Sequence, residues 1–193
     1  MTWLVAGLGN PDDHYADTRH NLGAMVVEEL ASRAGERFRK QRFVPVDAAE
    51  IRVGDERVLL VRSHRYMNES GPSYASLAAK QDVPSERVIC VHDEVDLALG
   101  ALQVRIGGGA AGHNGVKSLI GGLGTPEFPR VRCGIGRPPG RQDTADFVLE
   151  PFGARERDLV IELVDDAADA VLSLVGEGLA RTQDRYNRSG PRA

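Results

Sequence analysis

Cysteine is scarce in this chain: it holds only Cys90 and Cys133, both inside apolar stretches. Two such thiols do not make a disulfide framework or a metal cluster. They fit buried groups in a reducing compartment, so a cytoplasmic location is expected. No apolar run approaches the roughly 18 residues that cross a bilayer, and no membrane partner is expected. The opening Met1-Thr-Trp-Leu-Val-Ala-Gly has no basic stretch and breaks at glycine, so it does not read as a signal peptide. Repeats and low-complexity linkers are also missing. So is an excess of positive charge, because the formal net charge is −4. Taken whole, that figure argues against a protein that coats nucleic acid.

What is present is an ordinary globular composition, 41% apolar and 27% charged over 193 residues, enough for one domain spanning 1–193 with its own core. The net charge hides a segregation. Residues 97–142 carry Arg105, Lys117, Arg130, Arg132, Arg137 and Arg141 against Glu127 alone, a local balance of +5. This positive stretch is also glycine-rich. Charge alone leaves a solvated face and an anion site both open.

Strand-like and helix-like segments alternate. Trp3 to Ala6 is a short apolar run ending in Gly7-Leu8-Gly9-Asn10-Pro11, a strand followed by a tight loop. Helical spacing follows from Asn21 to Leu30. Residues 48–53 and 57–61 flank Gly54-Asp55-Glu56 as a hairpin. A helix beginning near Ser70 must stop before Pro84, which cannot continue it. Val88-Ile89-Cys90-Val91 reads as a strand covered on both faces. Leu102 to Ile106 alternates, as a strand with one wet face. A helix over 113–123, a strand over 131–135 and a long apolar-striped helix from Leu159 to Leu174 complete the pattern. The expected fold is an α/β single-domain three-layer sandwich, a twisted mixed β-sheet flanked by helices. Pro138-Pro139-Gly140 is expected to free a mobile flap over 138–152. Residues 181–193 read either as a helix or as a frayed tail.

Several chemistries fail on their residues. The dinucleotide fingerprint breaks at Asp12 and Pro11, and a phosphate-binding loop lacks its Lys-Ser/Thr pair. No Gly-x-Ser-x-Gly elbow occurs. His14, His20, His64, His92 and His113 never form a two-histidine helical pair, so neither a metal nor a cofactor is expected. In an open α/β sheet, sites form outside the carboxyl ends of strands. That rule gathers Asn10, Asn68, Asp93 and Asn114 near His20. One reading is a histidine base, oriented by a carboxylate and activating water, with amides to hold the water and the oxyanion. The other is a set of loop asparagines in turn geometry.

These residues resemble a known family. Gly7-Leu8-Gly9-Asn10-Pro11 with Tyr15 and Thr18-Arg19-His20-Asn21 is similar to the opening motif of bacterial peptidyl-tRNA hydrolases. Tyr66-Met67-Asn68-Glu69-Ser70-Gly71, His92 to Leu97, Gly107 to Gly109 with Gly112 to Gly115, and Arg132 to Pro138 resemble the remaining motifs, in family order. The resemblance implies metal-independent hydrolysis of the ester joining a peptide to the terminal ribose of tRNA, rescuing tRNA from prematurely released peptides. It implies His20 as general base, Asp93 as its orienting carboxylate and Asn10 as the sensor of a blocked amino group. Asn68 and Asn114 would bind substrate and position the water, with Tyr15, Tyr66 and Met67 lining the cleft. Arg105 and Arg132 would grip the tRNA 5′ phosphate, giving the positive stretch a purpose. A monomer is expected.

The chain departs from the family pattern at Asp12, where glycine is usual, at Ser63-His64-Arg65 before Tyr66, and at Ala110 and Ala111 in the glycine loop. These put local contacts, not catalytic groups, in question. Arg65, Lys117 and Arg130 read as solvated. A catalytically silent RNA-binding scaffold on the same fold is the alternative; it has no need of His20 and Asp93 together with Asn10, Asn68 and Asn114. A small-molecule esterase or peptidase would leave the positive stretch unexplained.

Overall fold

Alternation along the central strands decides which helix covers which face. The computed structural model describes residues 1–192. In β1 (Thr2–Gly7), Leu4 and Ala6 face one apolar cluster and Val5 the other. In β4 (Glu56–Ser63), Leu59 and Val61 oppose Val58 and Leu60 in the same way. β5 (Val88–Glu94) is buried at every position, as expected of a strand with no wet face. One cluster receives α1 (Leu22–Arg33) and α5 (Arg157–Glu177); the other receives α2 (Gly71–Lys80) and α3 (Asn114–Leu123). The result is the three-layer α/β sandwich expected from the residues.

The sheet adds β2 (Arg39–Lys40), β3 (Val46–Val53), β6 (Leu102–Ile106) and β7 (Pro129–Gly134), in the order β2-β3-β4-β1-β5-β7-β6. β4, β1, β5 and β7 run parallel, while β3 and β6 return antiparallel beside β4 and β7. The expected hairpin closes with Val53 opposite Glu56. The two-residue β2 is too short to carry a periodicity and escaped the sequence reading.

From β1 the chain passes to the α1 face, and from β4 to the α2 face. The carboxyl ends of β1, β4 and β5 therefore open into a rim. Gly23 of α1 makes this rim tight: a Cβ there would overlap Val91 O and lie 2.6 Å from Leu8 N. Only glycine lets α1 ride on the strand ends, and that approach carries the preceding turn, with His20, onto β5.

The segment expected to be a flap and the one left open between a helix and a frayed tail both carry defined elements and contacts. The 138–152 stretch contains α4 (Thr144–Val148) and is tied down at its carboxyl end by Arg19. The Arg19 guanidinium donates to Pro151 O (2.6 Å) and Glu150 O (3.3 Å), pairs with Glu156 (2.8 Å), and lies over Phe147 and Phe152. Of the two readings of 181–193, the described residues take up the helical one. The chain is helical to Tyr186 in α6 (Leu179–Tyr186), and Arg188 then pairs antiparallel with Leu102 of β6; Ala193 lies outside the described residues. No helix among the described residues is long and apolar enough to cross a membrane.

Candidate active site

Three elements deliver one buried cluster. His20 sits in the helical turn Arg19–Asn21 ahead of α1, Asp93 near the end of β5, and His113 immediately before α3. His20 Nδ1 lies 3.1 and 3.0 Å from the two Asp93 oxygens, and His113 Nε2 lies 2.7 Å from Oδ1. The protons can be assigned from the surroundings. His113 Nδ1 accepts from the backbone amides of Gly115 (3.1 Å) and Val116 (3.3 Å), acting as the cap of α3. It therefore carries no proton, and Nε2–H is the donor to Asp93. His20 Nδ1–H is the second donor, so in the neutral ring the lone pair lies on Nε2. Burial pushes the Asp93 carboxyl up, but the fields of His113 and His20 and their hydrogen bonds prevail and hold it well below the usual carboxylate range. Behind this cluster His92 is fully enclosed. Burial, then His113, lowers its pKa to about 3, so it stays neutral with Nδ1–H on Asp93 O at 2.7 Å.

Asn10 is held by Asn21, a motif residue with no role predictable from the sequence pattern. Asn21, buried, donates Nδ2–H to Asn10 O (2.9 Å) and accepts the Asn10 amide on Oδ1 (2.8 Å). Asn10 Oδ1 in turn accepts from Met67 N at 2.8 Å. That amide can only donate, so the Asn10 side chain must turn Nδ2 the other way, and Nδ2 meets no acceptor among the described residues.

The expected substrate residues divide. His20, Asp93 and Asn114 line a cleft of about 670 Å³ with Gly112, His113 and Pro138. Asn10 instead borders a smaller recess of about 270 Å³ beside Asp12 and Asp13. Tyr15 and Tyr66 meet edge to face at 6.5 Å, and Asn68 is exposed between Met67 and Glu69. Met67 does not line the cleft as a free surface: only 4% exposed, it packs beneath, where a Cβ on Gly115 would strike its sulfur. Asp12 accepts from Tyr66 Oη (2.6 Å), raising the Tyr66 pKa through that bond and the aspartate charge, and so joins the loop after β1 to the turn after β4. Ser63 accepts from Arg65 N (2.9 Å), His64 contacts Asp47 (2.8 Å), and Arg65 is exposed as expected. Ala111 adopts φ +47°, a conformation better suited to glycine, while Ala110 is half-buried.

The positive stretch is less positive than its count. Arg132 is not a free cation: it pairs with Glu94 (2.8 Å) and also contacts Gln103. Arg137 pairs with Asp96. Arg105 has no carboxylate partner among the described residues, and its guanidinium lies across Gly108, where a Cβ would collide with it. Arg130, expected in solvent, is instead fully buried.

His20, Asp93 and His113 offer nitrogen and oxygen atoms within 4.8 Å of one another, the spacing that could attract a metal ion. The contacts of 2.7–3.1 Å are shorter than the roughly 3.3 Å between ligands of a tetrahedral ion with 2.0–2.1 Å bonds, and they fit shared protons better.

Residues 4–192 match the family described as Peptidyl-tRNA hydrolase. A peptidyl-tRNA hydrolase of Arthrobacter sp. is 45% identical over 187 residues, covering 96% of each chain. One from Nocardia farcinica is 48% identical over 184 residues, covering 95% of each. The solved peptidyl-tRNA hydrolase of Acinetobacter baumannii aligns at a TM-score of 0.91 with 30% identity, covering 99% of this chain and 97% of that one. A Campylobacter jejuni 5′-methylthioadenosine/S-adenosyl homocysteine nucleosidase, at 9% identity and a TM-score of 0.51 over 90% of this chain and 97% of its own, shares the fold alone.

Proposed function

The chain belongs to the peptidyl-tRNA hydrolase family, and from that premise we propose how its cleft carries out the reaction. The protein hydrolyses the ester bond of peptidyl-tRNA and releases free tRNA and peptide. His20 Nε2 takes a proton from water as the water oxygen attacks the ester carbonyl. The tetrahedral intermediate collapses, the bond to the ribose oxygen breaks, and the proton on Nε2 passes to that leaving oxygen. The observation that carries this reading is the contact of His20 Nδ1 with Asp93 at 3.0 Å: a carboxylate there favours the tautomer protonated on Nδ1 and leaves Nε2 to act as base. Such chemistry suits an activated ester and needs no metal.

Asn10 supplies the selection for blocked substrates. With Oδ1 committed to Met67 N, only Nδ2–H remains to meet the acyl group. An N-acyl carbonyl accepts that bond, whereas the ammonium of an ordinary aminoacyl-tRNA brings donors to a donor. Asn114, on the wall of the larger cleft, and Asn68 position water and peptide, with Tyr15 and Tyr66 flanking them. The acceptor end enters this cleft with its 5′ phosphate toward Arg105, and Arg132 contributes less because Glu94 neutralises it. The enzyme acts as a cytoplasmic monomer, where peptidyl-tRNA arises.

The test is release of an N-acetylated amino acid from tRNA, with unblocked aminoacyl-tRNA and chelator as controls. Turnover of the blocked substrate alone, unaffected by chelator, is expected. His20→Ala loses roughly 10²–10⁴ in rate, the usual range for general acid–base catalysis. Near-full turnover by that variant overturns the assignment.

A further inference from the structure

Arg130 lies at the start of β7, in register with Arg105 on β6 and Cys90 on β5. Its side chain is among the largest fully buried ones. Burial, the leading influence, holds its pKa below the usual arginine value. Among the described residues no carboxylate is bonded to it, although the charge of Glu127 offsets part of the burial; every hydrogen bond it donates goes to a backbone carbonyl. Nη1 reaches Gly109 O at 2.7 Å, and Nη2 reaches Gly108 O and, at 3.3 Å, Pro126 O. A buried cation without a bonded counter-ion is costly, and a leucine or methionine would fill the same space at less expense. Packing alone does not account for an arginine here.

The carbonyls it holds identify its task. Gly108 and Gly109 belong to the loop between β6 and α3, where Gly107, Gly108, Ala111 and Gly112 all have positive φ. Such a chain has wide conformational freedom and little ladder bonding of its own. One end of the loop supports the Arg105 guanidinium across Gly108, and the other delivers His113 to Asp93. We propose that Arg130 is a positioning residue: its buried fork winds the 107–112 loop into the one shape that lays Arg105 toward an incoming terminal phosphate. This rests on the reading of Arg105 as the phosphate grip. Arg130 itself touches no substrate.

The test compares N-acetylated aminoacyl-tRNA with and without its 5′ phosphate, on the parent protein and on R130Q and R130K. The parent should show the lower KM on the phosphorylated substrate. If it shows no difference, the grip reading fails, and this proposal with it, before any variant is made. R130Q should raise KM about tenfold on the phosphorylated substrate alone, the weight of one charge-assisted contact, with kcat little changed. R130K keeps the charge but cannot bracket three carbonyls, so it should behave like R130Q. Equal losses on both substrates, or a parental KM in R130K, overturn the proposal. Should R130Q not fold, R130K, which keeps the charge and most of the volume, carries the test alone. The same phosphate-specific rise in KM is expected, and a parental KM there overturns the proposal.

Discussion

His113 Nε2 lies 2.7 Å from Asp93 Oδ1, closer than His20 Nδ1 comes to either oxygen. The imidazole that caps a helix thus holds the shorter bond, and the one whose Nε2 faces the cleft holds the longer. Capping by His113 ties the carboxylate to the rigid start of α3, so His20 is oriented against a fixed acceptor rather than a rotating one.

Asp93→Asn tests that arrangement. An amide of equal size must present a donor to one of the two imidazoles, each of which already points a donor inward. If the amide turns its donor to His20, the ring proton shifts to Nε2 and the base is lost. We expect kcat to fall about 10²–10⁴-fold with KM little changed, read by initial rates on N-acetylated aminoacyl-tRNA.

His92 gives the stability a pH dependence of known sign. In the folded protein it stays neutral down to about pH 3, whereas unfolded it takes a proton near pH 6.5. Between those values the unfolded chain binds more protons, so stability falls as pH is lowered, by up to about 1.4 kcal/mol per unit for one group. Urea denaturation from pH 7 to pH 4 should show this slope, and His92→Asn should flatten it.

Arg105 and Arg132 should separate when each is changed to alanine. Removing Arg132 leaves Glu94 buried without its partner, an expected loss of about 3–5 kcal/mol in unfolding free energy. Arg105→Ala should leave the melting temperature near the parental value and raise KM for the 5′-phosphorylated substrate. Thermal melts beside steady-state kinetics check both.

The strand alternation, the helix stop before Pro84 and the meeting of His20 with Asp93 were legible, because they follow from periodicity, from proline's inability to continue a helix and from the rule that strand ends carry sites. Other parts were not. An asparagine beside a histidine looks the same in sequence whether it faces water or clamps Asn10, and only the close packing of α1 on β1 decides for Asn21. An arginine at a strand start reads as solvated. Arg130 is buried because β7 lies between two other strands and the glycine loop offers it carbonyls from a separate part of the chain. The Glu94–Arg132 pair likewise depends on β5 and β7 lying side by side, which no local pattern reveals.

Ala111→Gly should stabilise the protein. The present side chain sits at φ +47°, where a Cβ costs about 1–2 kcal/mol, against about 0.4–1 kcal/mol of extra unfolded-state freedom for glycine. A net gain of about 0.5–1 kcal/mol by equilibrium denaturation is expected.

The docking of Asn187 and Arg188 bears on self-association. On the outer edge of β6, Leu102 exchanges both backbone bonds with Arg188. Val104 N–H meets Asn187 Oδ1 at 2.7 Å, and Val104 O accepts from Gln183 at 3.0 Å. The outward peptide groups of Leu102 and Val104, which could otherwise recruit a strand from another molecule, are therefore occupied within the chain, and the opposite margin is the two-residue β2. Residues 183–188 thus act as a built-in cover for this stretch of the sheet margin, taking up from within the chain the bonds that a foreign strand would need.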